Sequence, residues 1–257
     1  MLMQKIGTVA YYTFREILKS KILINIFFVG LGLIFLTYIA TEFTYGVPER
    51  VTLDFGLGML SLSSLAISLF LGVTLLSKEI DSRTVYMVIS RPVPRYAFIL
   101  GKIIGLMSIQ FVNVLILSSM TLIATVMLGG DLTPLVFWAI SFIFIESLVL
   151  LLVVILASLF MNTVLSVIVS FSILFLGYSV KETQNISFVA SNKFLHNLLD
   201  IYQFILPAFY KWNLKDFILY KTHLPLSYLI PNMVYGMGYS IFLLILIIMI
   251  FNHKNLD

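Results

Sequence analysis

Long uninterrupted apolar stretches dominate this chain, and no other feature narrows its fold so far. The hydrocarbon core of a bilayer is about 30 Å thick, and a helix rising 1.5 Å per residue crosses it in about 20 residues. Six stretches approach or exceed that length: residues 22–40, 55–77, 103–128, 135–160, 163–179 and 232–251. The one charged residue inside them is Glu146, and all 16 Lys and Arg fall outside. A cost of about 2.5–3.5 kcal/mol for a basic side chain at mid-membrane enforces that segregation. With 60% hydrophobic and 11% charged residues among 257, the chain also carries more apolar surface than a water-soluble fold of its length buries. The sequence therefore predicts an all-α membrane protein with six transmembrane helices, residues 1–257 forming a single transmembrane domain. The first apolar stretch starts only after residue 21 and lacks a small-residue cleavage site behind it, so it reads as a span and not as a cleaved signal.

The basic residues set the expected orientation. Lys5, Arg15, Lys19 and Lys21 precede span one, and Lys78, Arg83, Arg91, Arg95 and Lys102 lie between spans two and three. Both regions belong on the cytoplasmic side by the positive-inside bias, and six spans then return the C-terminal tail to the same side. Segment 180–231 carries five Lys yet falls outside in this topology; at about 50 residues it is long enough for the bias to weaken. The expected location is the cytoplasmic (inner) membrane, with both termini cytoplasmic.

The connecting segments have structure of their own. Ile6, Val9, Ala10, Phe14, Ile17 and Leu18 recur on one helical face, with Lys5, Thr8, Tyr12, Arg15, Glu16 and Lys19 opposite, which predicts an N-terminal helix in the cytoplasmic interface. Beyond span five, Phe194, Leu195, Leu198, Leu199, Tyr202, Ile205 and Leu206 recur at helical spacing and stop at Pro207. A second short helix runs from Asn213 as cap to Tyr220. Phe209, Tyr210 and Trp212 lie between the two, and rings of this kind settle at headgroup depth. One or two short outer helices on or in the outer leaflet are expected. Gly236 and Gly238 in span six read as close-packing positions.

Soluble chemistry is missing. No phosphate-cradling loop occurs, because Gly101 and Lys102 are followed by Ile103 and no earlier glycine stands at the required distance. His196, His223 and His253 are scattered, there is no Cys, and no carboxylate cluster stands at ligand spacing, so neither a metal site nor a disulfide is expected. No nucleophile elbow and no acid–base carboxylate pair is present. The net charge of +4 resides in loops and ends without alternating aromatic platforms, so nucleic acid is not an expected partner.

The most unusual segment is 78–95. Asp81 or Ser82 is placed to cap a helix of about two turns with Val85, Val88 and Ile89 on one face, ended by the restriction Pro92 places on Arg91. Pro94 then opens the next helix. By pattern alone this short helix is either a docking element or an interfacial anchor for span three. The run 79–102, with Ser82, Arg83 and Thr84, then Ser90, Arg91, Pro92, Val93, Pro94 and Arg95, and finally Gly101 and Lys102, resembles the coupling loop of permease subunits of ABC-2 type transporters. Segment 206–216 and the ending 235–257 resemble the same family, in particular its branch containing the permease for nitrous oxide reductase maturation. The resemblance implies six spans, an N-terminal interfacial helix, short outer helices between spans five and six, and a cytoplasmic coupling helix. Its coupling residues are then Glu79, Ser82, Arg83, Thr84, Val85, Val88, Ile89, Arg91, Pro92 and Arg95, docked on a separate ATPase subunit.

That resemblance implies a subunit without a catalytic centre or cofactor of its own. It implies further that ATP and Mg are held by a cytoplasmic ATPase dimer and that a second copy of the permease completes the transport path in an exporter, as a homodimer. Glu146, near the middle of span four, either lines that path or joins helices through a hydrogen bond, with Gln110, Asn113 or a Ser or Thr as partner. Two other classes are the alternatives: a membrane-embedded enzyme, which needs a cluster of polar catalytic residues at one interface where none is visible, and an ion-coupled secondary carrier, which would show more intramembrane ionisable residues than Glu146 alone.

Overall fold

The computed structural model describes residues 2–19, 28–32, 35, 36, 38, 39, 42, 48–81, 94–184, 197, 199, 205–219 and 224–253, and the regular structure among them is helical. In chain order the elements are α1 (Leu2–Lys19), α2 (Pro48–Asp81), α3 (Arg95–Met127), α4 (Pro134–Ser158), α5 (Thr163–Gln184), a 3-10 turn (Phe209–Trp212), α6 (Lys215–Leu219) and α7 (Leu226–His253). Five of these, α2, α3, α4, α5 and α7, are long and apolar enough to cross a membrane, and they correspond to the second through sixth predicted spans. In the first predicted span, residues 28–32 are helical and lie against α3, since a side chain at Gly30 would run into Leu117 and Met120. The rest of that span is described only at scattered positions. Segment 82–93 lies outside the described residues, as do nearly all of 185–204 and the tail 254–257.

Helix ends depart from the apolar stretches in a consistent direction. α2 begins seven residues before the expected start at Phe55, and α3 begins at Arg95 instead of Ile103. α5 runs past residue 179 to Gln184, and α7 starts at Leu226 with Pro231 inside it. Hydropathy marks the part of a helix that lies in hydrocarbon, whereas backbone hydrogen bonding carries the helix on into water. Thirty-four residues of α2 span about 51 Å, well beyond a 30 Å core. Asp81 is the last described residue of α2, and the helix expected after it lies outside the described residues.

The turns follow their local chemistry. α3 ends in a Schellman motif: Gly130 N donates to Thr125 O (3.0 Å), Gly129 N donates to Val126 O (3.0 Å), and Gly129 adopts φ +80°, which glycine tolerates without strain. Pro134 opens α4 where an amide has no helical partner. Asn162 caps α5 by accepting from Leu165 N (3.1 Å).

α4 is the axis of the bundle. Apart from Glu146 and three serines it is apolar all the way round, and such a helix belongs inside. The main core runs along it from Ala139 to Leu159 and gathers Leu71, Ile99, Ile103 and Leu106, with Leu243, Ile247 and Phe251 from α7. Ser68 Oγ donates to Ser147 O (2.8 Å), and Gly72 lies against Val154, so α2 and α4 run in the same direction. Gly130 lies against Glu49, which puts the 128–133 turn beside the start of α2. α5 and α7 turn broad apolar faces outward, including Ile168, Phe175, Met237, Phe242 and Met249. Exposed hydroxyls on the bundle surface are satisfied within their own helices: Ser141 donates to Phe137 O (2.9 Å) and Ser172 to Ile168 O (2.8 Å), as an apolar solvent requires.

Candidate functional site

Glu146 is buried on α4 at 2% exposure. Its partner is Tyr178 of α5, whose Oη donates to Glu146 Oε1. Neither Gln110 nor Asn113 reaches it, contrary to the sequence expectation. Both serve a different junction: Gln110 Nε2 donates to Ser64 O (3.1 Å) and Asn113 Nδ2 to Ser64 Oγ (3.1 Å), while Ser68 Oγ bridges Ser64 O (2.9 Å) and Ser147 O. Those bonds tie α2, α3 and α4 together where no water competes, so each is worth more than at a surface. Lys215 lies within electrostatic reach of Glu146, which gives the acid a basic neighbour as well as a phenol.

The chain around Lys215 forms the rest of the site. Pro207 and Ala208 lead into the Phe209–Trp212 turn, which enters the bundle among α4, α5 and α7. Phe209 and Trp212 are fully buried, so these rings pack against protein. Gly177 and Gly236 make room for them: a side chain at Gly177 would meet Phe209 Cδ2 at 2.6 Å and Pro207 O at 2.8 Å, and one at Gly236 would meet Ile145 and the Trp212 ring. Ile145 is eleven residues beyond the start of α4 and Gly236 ten beyond the start of α7, so the turn reaches about 15–17 Å into the bundle. Gly238, in contrast, has nothing within 4 Å and does not serve as the packing position expected of it.

Polar contacts fix the turn to α7. Trp212 Nε1 donates to Asn232 O (3.2 Å), Ala208 N to Tyr235 Oη (3.3 Å) and Tyr239 Oη to Ile205 O (3.0 Å). The rings form a continuous series: Tyr178 stacks on Phe209 at 6.2 Å, Phe209 meets Trp212 edge-on at 5.6 Å, and Trp212 stacks on Tyr235 at 5.8 Å. Lys211 Nζ sits 4.7 Å from the Tyr235 ring centre, a cation–π contact. Asn213 Oδ1 then accepts from Lys215 N (3.3 Å) and starts α6 close to the expected cap; α6 is described over Lys215–Leu219, and Tyr220 lies outside the described residues. Arranged this way, the segment is a re-entrant wedge whose aromatic floor touches the phenol bonded to the buried acid.

At the opposite end, α1 packs along the start of α3 in the same direction. Gly101 and Gly105, four residues apart, bring the two backbones together: a side chain at Gly101 would meet Ile6 O at 2.8 Å, and one at Gly105 would meet Ala10 O at 2.9 Å. The predicted apolar stripe of α1 therefore faces protein, with Thr13 buried among it, and Met3, Tyr11 and Tyr12 are exposed. Of the ten residues expected to couple to a partner, Glu79 lies on the last turn of α2 and Arg95 is the half-buried first residue of α3. Ser82, Arg83, Thr84, Val85, Val88, Ile89, Arg91 and Pro92 lie outside the described residues. Sequence reasoning passed over Tyr178, Gly177 and Gly105 and named Gly101 without its packing role; the small residues inside or at the mouth of apolar spans were the available signal. Among the described residues, no group of three or more His, Asp or Glu is placed to hold a metal ion. No protein-family model matches the chain, and no curated protein matches it.

Proposed function

We propose that this chain is the membrane permease subunit of an ATP-binding cassette exporter, powered by a separate cytoplasmic ATPase dimer and paired with a second copy of itself. The observation that carries the reading is the two-ended construction of the bundle. One end holds the clamp of α1 on the start of α3, and the other holds the aromatic wedge, with α4 between them. Segment 82–93, which joins α2 to α3 in the chain and is expected from the sequence to hold a short helix, would pass a rigid-body motion of the ATPase into two spans at once. α1 moves with α3 because their backbones are in contact at Gly101 and Gly105. ATP and Mg reside on the partner, and the chain itself performs no catalysis. The resemblance of 79–102, 206–216 and 235–257 to ABC-2 permeases supplies the direction of the reading.

The test is isolation of the full chain from membranes of its own cells in a mild detergent. An ATP-hydrolysing subunit in 1:1 ratio is the expected companion. A chain that purifies alone and transports in ATP-depleted vesicles contradicts the reading. The buried Glu146–Tyr178 pair favours one second reading, a proton-coupled carrier, and transport driven by an imposed proton gradient without ATP distinguishes it.

A further inference from the structure

The hydrogen bonds of the junction between α2, α3 and α4 do not close. Gln110 and Asn113 are completely buried on α3, yet among the described residues neither Gln110 Oε1 nor Asn113 Oδ1 meets a donor. Their nitrogens are engaged: Gln110 Nε2 donates to Ser64 O and Asn113 Nδ2 to Ser64 Oγ, both at 3.1 Å. A backbone carbonyl only accepts, so the Gln110 amide has to present its nitrogen to Ser64 O and turn Oε1 away from it. Ser64 Oγ accepts from Asn113 and keeps a hydroxyl proton that no acceptor among the described residues takes up. Two acceptors and one donor are therefore left over around a single residue of α2.

Ser64 stands halfway along α2 and Gln110 halfway along α3, so the junction lies near the middle of the bilayer, where an unpaired polar atom is costly and lipid offers it nothing. The unmatched groups fit one molecule. Water donates twice and accepts as well, and a buried water typically makes about three hydrogen bonds. At ordinary hydrogen-bond lengths it bridges acceptors about 4–6 Å apart, the spacing at which side chains one turn apart on a helix stand. We propose that one water is bound at this junction, donating to Gln110 Oε1 and Asn113 Oδ1 and accepting from Ser64 Oγ. A cation matches the set less well: Ser64, Ser68, Gln110, Asn113 and Ser147 include no carboxylate to offset its charge in a low dielectric, and Glu146 is turned to Tyr178 on α5. The water adds a third link to the two direct bonds between α2 and α3, the helices on either side of segment 82–93. The site does not depend on how the chain is powered.

Proton-detected solid-state NMR of the full chain in phospholipid bilayers, with the Asn and Gln side-chain amides labelled, reads the site directly. The signals of Gln110 and Asn113 are assigned by their loss in Gln110→Met and Asn113→Leu. In the wild-type chain both amides should receive magnetisation from water in spite of their depth. Asn113→Leu takes one partner from the water, so transfer to the Gln110 amide should fall severalfold. Ser64→Ala takes away the hydroxyl but keeps the backbone carbonyl that Gln110 uses; it should weaken transfer to both amides and carries the test if Asn113→Leu fails to fold. Absence of transfer to either amide in the wild-type chain, or unchanged transfer in a folded variant, overturns the site. Exchange of sodium and potassium for choline in the buffer should leave both signals where they are; amide shifts that follow the alkali-ion concentration overturn water as the ligand in favour of a cation.

Discussion

A single Cβ distinguishes the two glycines of α7. At Gly236 it runs into Ile145 and Trp212, whereas at Gly238 it meets open space. Gly236→Ala should therefore cost about 1–3 kcal/mol through overpacking, while Gly238→Ala should be neutral or stabilise by up to about 1 kcal/mol through helix propensity. Thermal unfolding of the two variants side by side checks this, and equal effects would remove the wedge packing as the reason for Gly236. Glu146 gives a second residue-level prediction. Glu146→Leu leaves Tyr178 Oη without its acceptor in the bundle interior, a loss of about 1–3 kcal/mol, and adding Tyr178→Phe should recover part of it. A double-mutant cycle on unfolding that shows strict additivity would mean the pair contributes no coupling. Glu146 was conspicuous in the sequence because a carboxylate is rare in an apolar span, but its partner was not: Tyr178 is one of 13 tyrosines, and its contact spans 32 residues.

Among the elements, spans were legible and their ends were not. Apolar length located α2, α3, α4, α5 and α7 because lipid imposes it, while the extra turns at residues 48–54 and 95–102 are polar enough to resemble loops. α1 was legible as amphipathic, yet periodicity does not say whether an apolar stripe meets lipid or protein. The contact at Gly101 and Gly105 decides in favour of protein. Replacing both glycines by Leu should lift α1 from α3, and labelling reports it: a Cys placed at Thr13, which is buried, should be protected in the otherwise native chain and reactive in the Gly101→Leu, Gly105→Leu variant. Equal reactivity in the two would show that the close approach does not hold α1. The re-entrant turn illustrates the opposite limit. Its aromatic run was visible, but its depth arises from two glycines on α5 and α7 that are distant in sequence.

For the whole molecule, the distribution of Lys and Arg and the parallel course of α2 and α4 lead to a specific topology. On this Cys-free chain, single Cys residues at positions 50 and 131 should react with an impermeant reagent outside intact cells, and those at 83 and 255 should not; the reverse pattern inverts the orientation. On the proposed permease reading, coupling to ATP would fall on segment 81–90, where the sequence sets Val85, Val88 and Ile89 on one face for a partner's groove. A charge placed on that face is desolvated on docking or keeps the helix out, so Val88→Asp should weaken association about 10²-fold or more while the bundle remains folded. The deciding measurement is ATP hydrolysis by the partner subunit co-purified with wild type or with Val88→Asp. The permease account predicts a stoichiometric, stimulated ATPase with wild type and loss of both subunit and stimulation with Val88→Asp; unchanged association and stimulation in the variant, or no ATPase with wild type, contradicts it.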